Sequence, residues 1–159
     1  MINCTFENGN KNSLRHVVVD MLVIKENQIL LVKRAPHLTN GNKYALIGGF
    51  MERNETSKQA ALREIMEETG YKAEIINLFR IIDHPDRRAE DRQNISFVYL
   101  VKPLEKIGKS DNEVKELRWF DLNELPPPEE FAFDHLENIQ LYLQYQKTPF
   151  GLPILDKKL

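Results

Sequence analysis

Three glutamates, Glu64, Glu67 and Glu68, stand at i, i+3 and i+4 of one stretch of this chain. On a helix that spacing gathers their carboxylates on one face within about one turn. Like charges placed so cost roughly 0.2–0.5 kcal/mol per pair, and they crowd the C-terminal end, where the helix dipole disfavours anions. Stability alone would not select the pattern. Hard divalent cations do prefer such oxygen ligands, and Mg²⁺ is usually held by a few carboxylates together with substrate phosphates. Gly48 and Gly49 lie ahead of the acids, where a missing side chain lets backbone approach a ligand closely. Arg63 directly precedes them and can orient a carboxylate through charge-assisted hydrogen bonds. An arbitrary acidic triplet is more often a solvated helix face, so the case rests on the surrounding segment.

The element that carries these acids is predicted as a helix over 57–69. Thr56 with Gln59 three residues on is the capping-box pattern, and Gly70 suits a left-handed C-terminal cap. Ala61, Leu62 and Ile65 supply its apolar stripe. Ahead of it, residues 15–24 are rich in β-branched side chains and read as a strand. A tight turn over 25–27 leads to a hairpin partner over 28–33. Residues 34–42 form a loop, and a short strand over 43–47 runs into the glycine pair. Strands are expected over 71–82, 94–101 and 116–120, with a charged loop over 84–92. Asp134 is expected to cap a last helix running to about residue 145, with Leu136, Ile139 and Leu143 at helical spacing. Residues 1–13 read as a loose, Asn-rich lead-in. With no internal repeat and no linker, the chain is read as one α+β domain over 1–159.

Bulk properties narrow the function. A chain of 159 residues can bury a real core, and 42% hydrophobic with 29% charged residues is ordinary for a globular protein. A net charge of −2 argues against a nucleic-acid surface, which needs clustered Lys and Arg, but leaves room for a local basic pocket. The single cysteine, Cys4, cannot form an intramolecular disulfide and is read as an inert thiol in a reducing compartment. No signal-peptide pattern opens the chain, and the longest apolar run, over 17–24, is interrupted by Asp20 and too short to span a bilayer. The expectation is a cytoplasmic protein without a membrane or nucleic-acid partner.

The stretch from Gly49 to Tyr71 resembles the Nudix box, Gly-x5-Glu-x7-Arg-Glu-U-x-Glu-Glu-x-Gly-U, where U is hydrophobic. Gly49, Glu55, Arg63, Glu64, Ile65, Glu67, Glu68 and Gly70 match without gaps, and Tyr71 stands in for the usual aliphatic residue. Seven fixed identities at fixed spacing arise by chance with a probability on the order of 10⁻⁶ per chain at average residue frequencies. The resemblance implies a Nudix fold, an α/β/α sandwich around a central mixed sheet. It further implies that Glu64, Glu67 and Glu68 bind Mg²⁺ (or Mn²⁺) with the backbone carbonyl of Gly48. Gly49, Glu55 and Arg63 would support the loop–helix geometry. The implied reaction is attack of water on a diphosphate. Its general base is either a box acid, with Glu64 the first choice, or a distal loop acid. Glu113 is similar to the distal acid of MutT-like members, with Glu116 and Glu90 as rivals.

The substrate is read from arginines. The loop with Arg87, Arg88 and Arg92 ahead of a strand is similar in part to a run found in ADP-ribose pyrophosphatases, and three arginines there can clamp a pyrophosphate. The bland alternative is an exposed loop whose charges compensate one another. Arg34 is a further phosphate contact. Phe50, Tyr44 and Phe79 are aromatic candidates for stacking on a base, although single aromatics are more often core. The favoured substrate is a small nucleotide, ADP-ribose or a nucleoside diphosphate sugar. The alternatives are a MutT-like nucleoside triphosphate pyrophosphohydrolase and a non-catalytic nucleotide sensor. Many members of the family are homodimers; nothing in the sequence compels one here.

Overall fold

A computed structural model describes residues 1–86 and 92–155. Its main sheet has the strand order β10-β7-β8-β3-β4-β5, with β6 on the edge of β3 and β9 on that of β4. The strands are β3 (Val17–Lys25), β4 (Gln28–Arg34), β5 (Tyr44–Ala45), β6 (Ile47–Phe50), β7 (Tyr71–Ile82), β8 (Ile95–Lys106), β9 (Val114–Asp121) and β10 (Ile154–Leu155). The sheet is mixed: β3 runs parallel to β8 and antiparallel to β4 and β6. Two helices, α1 (Ser57–Thr69) and α2 (His135–Lys147), cover its two faces. Among the described residues no helix is long and apolar enough to cross a membrane.

Strand alternation builds the two-sided core. Val19, Met21 and Val23 of β3 project to one face and pack with Ala60, Ala61 and Ile65 of α1. Leu22 projects to the other face, where Phe79, Ile82, Val98, Ile139 and Tyr142 gather under α2. A central strand buried on both faces should read as a continuous apolar run, and β3 does, with Asp20 as the one charged interruption.

Position β3 also decides where a cleft opens. One of its edges is paired along Val17–Val23 by β8. The other edge is shared, with β6 on Val18–Met21 and β4 on Val23–Lys25. The single strand expected over 43–47 is therefore two. Tyr44 and Ala45 pair with β4, then the chain crosses at Leu46 and Ile47–Phe50 pairs with β3. The crossing frees the Leu46 N–H from the sheet, and it donates instead to His135 Nδ1 at 2.9 Å.

The helix α1 has the expected bounds. Thr56 accepts from the Gln59 N–H while the Gln59 side chain accepts from the Thr56 N–H, and Gly70 closes the helix at φ 71°. Its buried stripe differs from expectation: Ala60 joins Ala61 and Ile65, and Leu62 is exposed. The stripe continues through Glu68, which puts one box acid on the buried side. The N-terminal segment is not a loose lead-in. Strands β1 (Ile2–Thr5) and β2 (Lys11–Leu14) pair as a hairpin closed at Gly9 with φ 84°, and Cys4 sits half-buried in it opposite Asn12. Strands β8 and β9 run longer than expected, and β10 adds parallel to β7. Asp134 stands at the N-terminus of α2 as expected but makes no side-chain cap bond.

Candidate active site

The cleft, about 500 Å³, collects residues from the whole chain: Asp20 of β3, Arg34 at the end of β4, Gly48 and Gly49 of β6, Glu64 and Glu67 of α1, and Phe133 beside α2. Arg63 organises its acidic wall. Its Nε and Nη2 grip both oxygens of Glu55, at 3.1 and 2.8 Å. Its Nη1 donates to Glu64 at 2.8 Å and to Glu67 at 3.0 Å, and Nη2 also reaches the Phe50 carbonyl at 3.0 Å. Glu55 in turn accepts the Glu52 N–H at 2.6 Å. The planar five-donor fork suits this work in a way a lysine would not. It holds the loop before α1 to the helix and fixes the Glu64 carboxylate.

Burial works against the charge of two of the acids. Burial pushes the Glu68 carboxyl well above its ordinary range, nearby Glu64 pushes the same way, and the Gly48 N–H opposes at 3.3 Å. Burial likewise raises Glu64, against the pull of Arg63. Arg63 itself is held charged by Glu55. Two carboxylates that resist ionisation side by side are a donor set that a divalent cation would relieve. The chemistry of the residues therefore fits such an ion. Among the described residues no three acids converge on one point, and Arg63 Nη1 bonds both Glu64 and Glu67.

A carboxyl whose folded pKa is raised contributes stability below its unfolded value, and that contribution is lost as pH rises through the folded value. Without metal, wild-type protein should therefore melt progressively below Glu68→Gln as pH rises from about 4.5, the ordinary glutamate value. Adding Mg²⁺ should recover the wild type and not the variant. A melting difference that stays flat between acid and neutral pH would remove the buried charge from the account.

Other candidates divide. Glu113 lines the cleft; its carbonyl accepts the Ala35 N–H at 3.0 Å, and its own N–H donates to Asp111 Oδ1 at 2.9 Å. The Asp111 N–H bonds the Glu67 carbonyl at 3.1 Å, clipping this loop to the end of α1, so Asp111 also lines the cleft. Glu116 lies in β9 opposite Lys33, outside the cleft lining. Arg34 lines the cleft, anchored by Nε to the Thr39 carbonyl at 2.9 Å. Burial lowers its pKa while Glu68 and Glu113 support its charge. Arg92 lines it too, 5.5 Å over the Phe50 ring. Arg87, Arg88 and Glu90 lie outside the described residues. Of the aromatic candidates only Phe50 reaches the cleft. Tyr44 is buried edge-on against Phe120, and Phe79 is wholly buried under α2, so both are core.

Asp20, His135 and Phe133 are among the cleft residues that sequence reading missed besides Asp111. Asp20 is buried and accepts from the Ser96 hydroxyl. His135 accepts the Leu46 N–H on Nδ1, which leaves the proton of a neutral ring on Nε2, 3.5 Å from Asp20 Oδ1. Phe133 is half-buried and lines the cleft with them. Asp20 alone had a signal, a charge inside an apolar strand.

Comparison with known proteins places this arrangement. The NUDIX domain profile matches residues 14–142. The ADP-ribose pyrophosphatase of Methanocaldococcus jannaschii is 38% identical over 82% of this chain and 74% of its own length. A human 8-oxo-dGDP phosphatase is 28% identical over 94% of this chain, which spans 45% of that protein. The crystal structure of a NUDIX hydrolase from Nitrosomonas europaea, 25% identical, superposes with a TM-score of 0.78, covering 97% of this chain and 91% of its own.

Proposed function

The chain belongs to the Nudix hydrolase family, and on that premise we propose that it is a Mg²⁺-dependent pyrophosphohydrolase whose favoured substrate is ADP-ribose. The observation that carries the reading is a cleft that brings Glu64 and Glu67 together with Gly48 and Arg34, backed by the buried Glu68, which accepts the Gly48 N–H. Similarity to the archaeal ADP-ribose pyrophosphatase supports the substrate.

In this reading Glu64, Glu67, Glu68 and the Gly48 carbonyl hold the cation, which when bound lowers the pKa of water and neutralises charge on phosphoryl oxygens. The protein positions and screens. Arg34 and Arg92 hold phosphate oxygens of the diphosphate. Water attacks one phosphorus, the bridging P–O bond breaks, and the water proton passes to a carboxylate. Glu64 suits that task because burial raises its proton affinity while Arg63 fixes its direction. Glu113 is the second choice of base. The products are a nucleoside monophosphate and a phosphorylated remainder, AMP and ribose 5-phosphate for ADP-ribose.

The test is chromatographic separation of the products formed in Mg²⁺ from ADP-ribose and, in parallel, from nucleoside triphosphates, 8-oxo-dGDP and diphosphate sugars. Fastest turnover of ADP-ribose, to AMP and ribose 5-phosphate, and its loss on chelation are the expected result. Preference for the oxidised nucleotide would move the assignment to nucleotide sanitation, a reading that the human relative favours. Binding without turnover of any compound would leave a nucleotide sensor.

A further inference from the structure

The hydrolytic chemistry leaves one wall of the cleft unexplained. Phe133 lines it and sits at φ 52°, in the left-handed region where a bulky non-glycine residue is a genuine outlier. Strain of this kind persists only where the surroundings fix it, and it gathers at ligand sites. Here the chain is pinned on both sides of Phe133. The Ala132 N–H donates to the Tyr44 carbonyl at 2.8 Å, and the His135 ring is tied to the Leu46 N–H. Between these anchors the left-handed residue leaves its ring half-buried in the cleft, while Phe131 and Ala132 before it go into the core.

The ring also has defined neighbours. The Arg34 guanidinium lies over the ring, 5.2 Å from its centroid, and the His135 ring packs against it at 5.3 Å, tilted by 47°. Arg34 donates its Nε–H to the Thr39 carbonyl, which leaves the far edge of its guanidinium directed by charge, with Glu68 and Glu113 nearby. A flat ring, partly wet, beside an arginine suited to phosphate and within the cleft of the acids, matches a ligand with an aromatic plane joined to a phosphate. We propose that Phe133 is the stacking platform for the nucleobase of the substrate, presented by its left-handed backbone and coupled through Arg34 to the phosphate. This rests on reading the cleft as a nucleotide site; it does not depend on which nucleotide is cleaved. Stacking tolerates every base, since each has a π-face, so Phe133 contributes affinity for a base and leaves the choice among bases to other groups.

The experiment is calorimetric titration in Mg²⁺ with AMP, GMP, CMP, UMP and, as the base-free control, ribose 5-phosphate. These are product-like ligands, so no turnover is needed. Wild-type protein is expected to bind AMP at least about tenfold more tightly than ribose 5-phosphate, and Phe133→Leu to lose about tenfold on AMP and a similar factor on the other nucleotides. Ribose 5-phosphate binding stays unchanged, and Phe133→Trp retains the nucleotides. Phe133→Asn removes the ring with a residue suited to left-handed backbone, so it should melt near wild type while sharing the loss. Three results overturn the proposal: no preference for AMP over ribose 5-phosphate in wild type, nucleotide binding kept by the folded variants, or equal loss of both ligands. Unfolding of both Leu and Asn variants would also overturn it, by making the ring a core residue. If ADP-ribose is not hydrolysed while the nucleotide losses appear as described, only the substrate assignment falls.

Discussion

Replacing Glu67 by Gln lowers turnover by at least about a hundredfold, the order expected when one preorganised charge is removed from a reacting centre, and leaves the melting temperature near that of the wild type. The two halves of this result have separate causes. The Glu67 side chain is 50% exposed and meets Arg63 Nη1 at 3.0 Å, so little of the fold depends on it. Surface changes of that kind usually lie within about 0.5 kcal/mol, and Arg63 keeps Glu55 and Glu64. The amide has the shape of the acid and lacks its charge. What disappears is one of the anionic ligands proposed for the cation, while the direction that Arg63 gives to Glu64 is kept. Steady-state kinetics with ADP-ribose over a Mg²⁺ series, beside a thermal melt, reads both halves. Turnover near wild type would take Glu67 out of the mechanism.

The contrast between what the sequence disclosed and what it withheld has a physical basis. The bounds of α1 were legible because they are set locally, by Thr56 with Gln59 at one end and Gly70 at the other. The hairpin of β3 and β4 was legible for the same reason. The split at Leu46 was not, because a strand of four or five residues carries no mark of which neighbour each half will pair with. The helix stripe was misread by one residue: Ala60 and Leu62 flank Ala61, and only the position of β3 and β6 decides which side faces inward. The acidic wall was readable because the box acids and Arg63 share one helix. The opposite chemistry was not, since Asp20 and His135 meet only when strands and helix have assembled. Phe133 left no trace at all. Its role depends on a backbone angle, and no neighbour in sequence announces that a phenylalanine will occupy a conformation proper to glycine.

The glycine pair separates fold from catalysis in a single experiment, because the same added methyl group meets different kinds of matter at adjacent positions. A Cβ on Gly48 would lie 2.2 Å from the Val19 carbonyl oxygen. That oxygen belongs to β3, which is paired with β6 at this point and with β8 on its other edge. Neither strand can retreat without breaking sheet, so Gly48→Ala should cost at least about 2 kcal/mol of folding stability. A Cβ on Gly49 would instead meet the Glu64 carboxylate, with Oε1 at 2.3 Å and Oε2 at 2.6 Å. The end of a flexible side chain can swing away, and the fold should lose about 1 kcal/mol or less. Glu64 cannot swing away and stay in place for chemistry, however. Its carboxylate leaves the position that Arg63 holds, and a displacement of that size at a reacting group costs on the order of a hundredfold in rate. Urea denaturation and turnover on the two variants should therefore cross over, with Gly48→Ala limited by stability and Gly49→Ala by rate. If Gly49→Ala works at the wild-type rate, the carboxylate of Glu64 has no fixed task, and the base and ligand roles given to it must pass to Glu113 and the remaining acids.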